Sequence, residues 1–280
     1  MSVISGKNGV VNGSAEVRDW SITSEADLQA YVSSATKGGT SRTAGNEDWN
    51  GTYNAYGHTP VRMPGEFFAF LGSIDKLVGV DSGASGAIVD QVEIRIDIEA
   101  GAIIDHSVNF SANAVLTFGA AVASDATVPA PPSSKGTKIQ TAAAIGSPVF
   151  TNILDYRTCT ITITSDNNVY VSSESAGQVK RTAGNIDFSV SYSVYADDFS
   201  NANVPPVNTV ANLRVFVNAT QFWDLKWVRY GDASDMGANI ESADNVAATL
   251  NVMMEGYTDV ASTPTEGFIK KPDGSTFWPV

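Results

Sequence analysis

The chain has 280 residues, 43% hydrophobic and 17% charged, with 30 acidic against 17 basic side chains and a net charge of −13. That composition suits a folded chain rather than a disordered one, and its acidity excludes a protein that grips nucleic acid through its phosphates, which needs a basic surface. The acids are not a tail, because 15 acids and 9 bases precede residue 140 and 15 and 8 follow it. They either serve solubility or keep a passing polyanion from sticking, since like charges repel.

In chain order, Met1 to Asn12 carries no apolar region of the secretory kind, and no stretch nears the ~18 apolar residues of a membrane span. Synthesis in the cytoplasm and no membrane partner are therefore expected, and the Asn-x-Ser/Thr triplets at Asn12, Asn50, Asn109 and Asn218 are read as chance. From Ile22 to Tyr56 the chain aligns without a gap onto Ile161 to Tyr195, at an offset of 139, with 16 identities in 35 positions. The identities include Tyr31-Val32-Ser33-Ser34 with Tyr170-Val171-Ser172-Ser173, and Arg42-Thr43-Ala44-Gly45-Asn46 with Arg181-Thr182-Ala183-Gly184-Asn185. A repeat of about 140 residues is too long for a solenoid unit and has the size of a whole domain. Ser24 to Tyr31 has a helix-like start, with Ser24 as cap. Its counterpart Ser165 to Tyr170 has turn chemistry, so a bend into a strand is expected in both.

Val92 to Ile98 alternates apolar and charged residues, which predicts a half-buried strand with Glu93, Arg95 and Asp97 on its wet face and Glu99 continuing it. Ser124 to Gly136 is rich in proline and serine and cannot continue a sheet. It divides the chain into a first β domain (1–123), a linker (124–136) and a second β domain (137–280). Thr158 to Thr164, Asp187 to Tyr195 and Leu213 to Val217 alternate again. Cys159, the single cysteine, falls in the first of these and is expected to be a buried thiol. Gln221 to Tyr230 mixes helical and strand spacing and is read as a strand. The tail from Gly267, with Phe268, Phe277 and Trp278, is expected to dock on its own domain or on a neighbour. The predicted class is all-β, with at most one short helix per domain and two tandem sandwich or barrel domains.

Catalytic patterns fail one by one. His58 and His106 have no counterparts across the repeat, which disfavours a base or metal ligand. Gly83-Ala84-Ser85-Gly86 lacks the spacing of a nucleophile elbow, and no phosphate-binding glycine motif is present. Asp97 with Glu99, and Asp48 and Asp187 in their copies, are the carboxylates left for a glycosidase-type pair, but any alternating acidic strand supplies such pairs. No enzyme activity, cofactor or metal is expected. The repeated Arg42, Gly45 and Asn46, with Arg181, Gly184 and Asn185, have two readings. One is a tight connection whose arginine pairs with Asp48 or Asp187. In the other, arginine and loop contact a neighbouring subunit, the same contact made twice.

The opening Val3 to Val10, then Asp19-Trp20-Ser21-Ile22, then the Arg-Thr-Ala-Gly-Asn-Glu-Asp-Trp-Asn-Gly-Thr-Tyr run from Arg42 to Tyr53 resemble the tail tube proteins of tailed bacteriophages. The likeness covers residues 1–70 and returns in degenerate form over 149–200. It implies a sandwich or small barrel with a flanking helix per domain, and subunits packed side by side into rings that stack into a tube. It also implies a virion location, contacts with other tail proteins, and viral DNA passing through the lumen without specific binding. A duplicated chain would fill two of six places, so three chains would make a pseudo-sixfold ring. Glu93, Asp97 and Glu99 are then candidate lumen-facing acids. The alternatives are a capsid decoration protein and a carbohydrate-binding adhesin that stacks sugars on Trp223, Trp227 and Tyr230.

Overall fold

The computed structural model describes residues 10–11, 14, 16–74, 78–120, 132–143, 148–175, 177–195, 206–237, 247–255 and 269–278. Residues 3–9 of the opening segment, residues 124–131 of the linker and Phe268 lie outside them. The N-terminal half contributes β1 (Val10–Val11), β2 (Val17–Tyr31), β3 (Ser41–Tyr56), β4 (Phe67–Phe68), β5 (Leu71–Ile74), β6 (Val78–Asp81), β7 (Ala87–Asp97), β8 (Asp105–Ala112) and β9 (Thr117–Ala120). The C-terminal half contributes β10 (Ile139–Ala143), β11 (Thr151–Ile153), β12 (Tyr156–Tyr170), β13 (Lys180–Tyr195), β14 (Val210–Phe216), β15 (Phe222–Gly237), β16 (Ala247–Met254), β17 (Ile269–Lys270) and β18 (Thr276–Trp278). The fold is all-β. Among the described residues the helical elements are two 3-10 turns, Ser34–Thr36 and Ser173–Ser175.

The main sheet runs β2-β3-β8-β7 and continues without a break into β12-β13-β16-β15. The same strand order thus occurs twice, head to tail. A second layer, β1-β5-β6-β9, covers the first four strands, and β10-β14-β15-β17 holds the corresponding places in the other half. The correspondence is residue by residue at the hairpins: 139 added to the bounds of β2, β3 and the first 3-10 turn returns those of β12, β13 and the second. Backbone anomalies follow the same offset, with Glu16 and Asp155 both at φ 53° and Gly38 and Gly177 at 83° and 84°.

Alternation explains the layers. Val92, Ile94 and Ile96 of β7, Ile161 and Ile163 of β12, and Phe188, Val190, Tyr192 and Val194 of β13 are all buried in one continuous core. Fully removing such a side chain from water is worth about 1.5–3 kcal/mol. One pair of positions shows how the copies diverged without losing volume. Gly51 faces Phe110 across β3 and β8, and a Cβ on Gly51 would lie 2.6 Å from that ring. At the matching place in the other half Val190 faces Val252, so a small–large pair has become two medium ones.

The mixed spacing of Gln221 to Tyr230 has a structural cause. Trp223 and Leu225 are buried, then Trp227 takes φ 56° and shifts the alternation by one, so that Val228 and Tyr230 are buried next. That left-handed residue is the corner at which β15 leaves the second layer and enters the main sheet. The tail docks on its own half, where β17 pairs with β15 and β18 with β17. One boundary differs from expectation: β7 ends at Asp97, and Ile98 and Glu99 lie in the following turn, so Asp97 and Glu99 do not share a strand face.

Candidate functional site at the seam between the halves

The halves are joined edge to edge. β7 and β12 pair antiparallel over seven residues, from Thr158 opposite Asp97 to Thr164 opposite Gln91. This buries two strand edges that would otherwise offer open hydrogen-bonding groups. Cys159 sits in the seam, between Ile96 on one side and Tyr192 on the other. It is buried, and that burial pushes its thiol well above the ordinary range.

Polar contacts flank the paired strands. Asn167 donates to the Val89 carbonyl (3.1 Å) and to Asp90 (2.8 Å) at the point where β7 bulges. At the opposite end Arg157 forms an ion pair with Glu99, and Tyr195 donates to the same carboxylate at 3.0 Å. The Arg157 guanidinium holds the Glu99 carboxyl below its usual range. Arg157 also lies 4.4 Å from the Tyr195 ring centroid. The indole of Trp223 donates to the carbonyl of His58, in the loop after β3, at 3.2 Å. At the edge of the linker, Ser134 is buried and donates through its hydroxyl to the Asp97 carbonyl at 2.6 Å.

The repeated hairpins carry the most specific contact. β2–β3 and β12–β13 both extend beyond the core, with exposed residues toward their tips. Each has a bulge where the Ala-Gly-Asn block lies. The glycine is required there, since a Cβ on Gly45 would lie 2.5 Å from the Asp27 carbonyl oxygen and one on Gly184 only 1.5 Å from that of Asp166. The tip of the second hairpin folds onto the first half. Glu47 donates its N–H to the Gly177 carbonyl (2.8 Å), Val179 donates back to the Glu47 carbonyl (3.1 Å), and Gln178 donates to the Glu47 carboxylate (2.8 Å). Arg181 then forms a two-pronged pair with Asp48, at 2.9 and 2.7 Å, and donates also to the Ala112 carbonyl at 2.6 Å. Lys180 donates to the Asn113 carbonyl at 2.6 Å.

Arg181 pairs with an aspartate, and that aspartate, Asp48, belongs to the other half of the same chain. Gly45 also lies at this junction, opposite Gly177. Arg42, Asn46 and Asn185 are exposed, and Gly184 approaches the Asp166 carbonyl in its own hairpin's bulge. Glu47, Gln178, Asp90 and Asn167 escaped sequence reading. They belong to no repeated motif, and only the fold brings them together.

The wet face of the main sheet is built mostly from hydroxyls and amides. Thr158, Thr160, Thr162 and Thr164 stand beside Ser189, Ser191 and Ser193 in register, and Thr52 and Asn54 face Asn109 and Ser107. The three singled-out acids are not bare: Glu93 accepts from Arg95 at 2.6 Å, Asp97 from the Ala100 N–H at 2.9 Å, and Glu99 from Arg157. The arginines are tied as well, Arg18 to Asp105 at 2.7 Å and Arg95 also to Asp105 at 3.6 Å.

The described residues hold no cluster of three or more metal-ligating side chains. No helix among them is long and apolar enough to cross a membrane. Trp223 and Tyr230, two of the three aromatics a sugar-stacking platform would need, are buried in the core. No known protein-family model matches the chain. No curated protein sequence matches it either.

Proposed function

We propose that this chain is a structural virion protein, the subunit of a phage tail tube. In this reading two tandem tube-type β domains, residues 1–123 and 137–280, polymerise head to tail. Three chains then close a ring of pseudo-sixfold symmetry, and rings stack into the tube through which DNA leaves. The observation that carries the reading is the repeated strand order with its heterologous joint, β7 against β12. A joint of that kind uses a different edge on each partner, so each added unit leaves the same two edges free. Such an interface closes into a ring or runs on as a filament. Here the free edges are the outer side of β2 and, from Gly231 onward, the outer side of β15, neither of which has a strand partner among the described residues.

Pairing β15 of one chain with β2 of the next would repeat the β7–β12 joint and remove the open edges. Each half supplies four main-sheet strands, so three chains would line the ring with 2 × 4 × 3 = 24. The wet face suits a lumen, because its hydroxyls and amides stay solvated. The arginines named on it are already held by carboxylates, which leaves them poor phosphate traps. The chain would carry no catalytic role, and its partners would be itself and other tail proteins.

Sedimentation velocity with negative-stain imaging of the purified protein tests this. Three-chain rings with six similar lobes, or hollow tubes, are expected. A protein that stays monomeric at the highest attainable concentration overturns it.

A further inference from the structure

Within the chain, the second hairpin clasps the first half through Arg181 and Asp48. The first hairpin has the same tip, with the same 3-10 turn and the same left-handed glycine at Gly38, yet its arginine, Arg42, is exposed and has no partner among the described residues. In the second half Asp187, on β13, is also exposed. Its carboxylate is already aimed as that of Asp48 is: Asp48 accepts from the Trp49 N–H at 2.8 Å, and Asp187 accepts from the Phe188 N–H at 2.8 Å. An arginine and a pre-oriented carboxylate, neither with a counter-charge among the described residues, thus stand in the two halves of one chain.

We propose that Arg42 of one copy of this chain forms a two-pronged salt bridge with Asp187 of a second copy, with the loop of residues 32–40 clasping that copy's β13. The inference rests on the head-to-tail reading above and names the contact that sets the angle between successive chains. Main-chain bonds carry over without regard to side chains: Gly38 and Thr40 of one copy meet Ile186 of the next, as Gly177 and Val179 meet Glu47. Side-chain bonds do not carry over, because Gly39 and Ser41 stand where Gln178 and Lys180 stand in the second hairpin. The clasp between chains is therefore weaker than the one within a chain and more dependent on its single ion pair. It is also more sensitive to salt, being exposed until assembly.

The test compares wild type, Arg42→Glu, Asp187→Arg and the double variant by sedimentation velocity over a concentration series, with thermal unfolding of each monomer as the control for folding. Each single charge reversal juxtaposes like charges and is expected to weaken association roughly tenfold or more, leaving the monomer's unfolding midpoint unchanged. The double variant is expected to recover association. Rings that form equally well in the single variants overturn the clasp while leaving the tube reading standing. Loss in both single variants with no recovery in the double overturns the pairing of these two residues. A wild type that never associates removes both.

Discussion

Arg181 and Asp48 lie 133 positions apart, yet their side chains meet through two parallel hydrogen bonds of 2.9 and 2.7 Å. The arginine side chain is 10% exposed and the aspartate 38%. The fork geometry of guanidinium and carboxylate makes this pair directional, so it fixes the second hairpin's angle against the first half as well as holding it there.

Removing the arginine leaves Asp48 without its counter-charge and the Ala112 carbonyl without a donor. Arg181→Ala is expected to cost about 1–2 kcal/mol, below the ~3–5 kcal/mol of a fully buried pair because Asp48 is partly solvated. Arg181→Lys should restore only part of that, since an ammonium cannot make both bonds in one plane. Urea unfolding checks this through the midpoint at constant slope.

The bulge glycines should differ in a defined order. Gly184→Ala drives a methyl to within 1.5 Å of the Asp166 carbonyl oxygen, while Gly45→Ala leaves 2.5 Å to that of Asp27. Both require the hairpin to shift, at a cost of about 1–3 kcal/mol. The larger loss at Gly184 is expected in the same unfolding measurement, and equal losses would contradict the bulge geometry.

Acid should destabilise the protein first through histidine. His106 is buried and donates from Nδ1 to the Gly57 carbonyl at 2.9 Å, and burial lowers its pKa below the ordinary 6.5. Burial lowers that of His58 as well. The folded state then binds fewer protons than the unfolded one. Stability is therefore complete above about pH 6.5 and falls as the pH drops through and below that value. Glu99 and Glu255, whose carboxyls are held down by Arg157 and Arg229, add a second loss only below their ordinary 4.5. Thermal unfolding between pH 8 and pH 5 checks the first step, and His106→Gln should flatten it.

Cys159 offers a probe of the seam. Its thiol is buried between β7 and β13 and is held protonated by its surroundings. An aromatic disulfide reagent should react negligibly with the native protein and fully in denaturant. In Arg181→Ala the native rate should rise in step with the stability lost, because reaction requires the strands to part. Rapid reaction of the native wild type would contradict this placement.

The strands with clean alternation were readable from the sequence because period two directly encodes one buried and one wet face. Val92 to Asp97 and Asp187 to Tyr195 are such cases. Gln221 to Tyr230 was blurred, since a left-handed residue at Trp227 changes the phase in mid-strand and no periodic pattern survives that. Ile98 and Glu99 continue the strand's alternation although they lie in the turn, because turn residues can extend such a pattern by chance.

By itself, the sequence determined the all-β character, the offset of 139 and the identity of the two hairpins, since these depend on local pattern and on comparison of the chain with itself. Only the tertiary structure decided that Arg181 reaches Asp48 of the other half while Arg42 has no partner among the described residues. Two copies of one loop in a chain cannot both find a neighbour within it, because a head-to-tail joint between two units has one seam and two ends. Which loop is satisfied and which is left exposed is a property of chain order and geometry, and no residue of the repeated block records it.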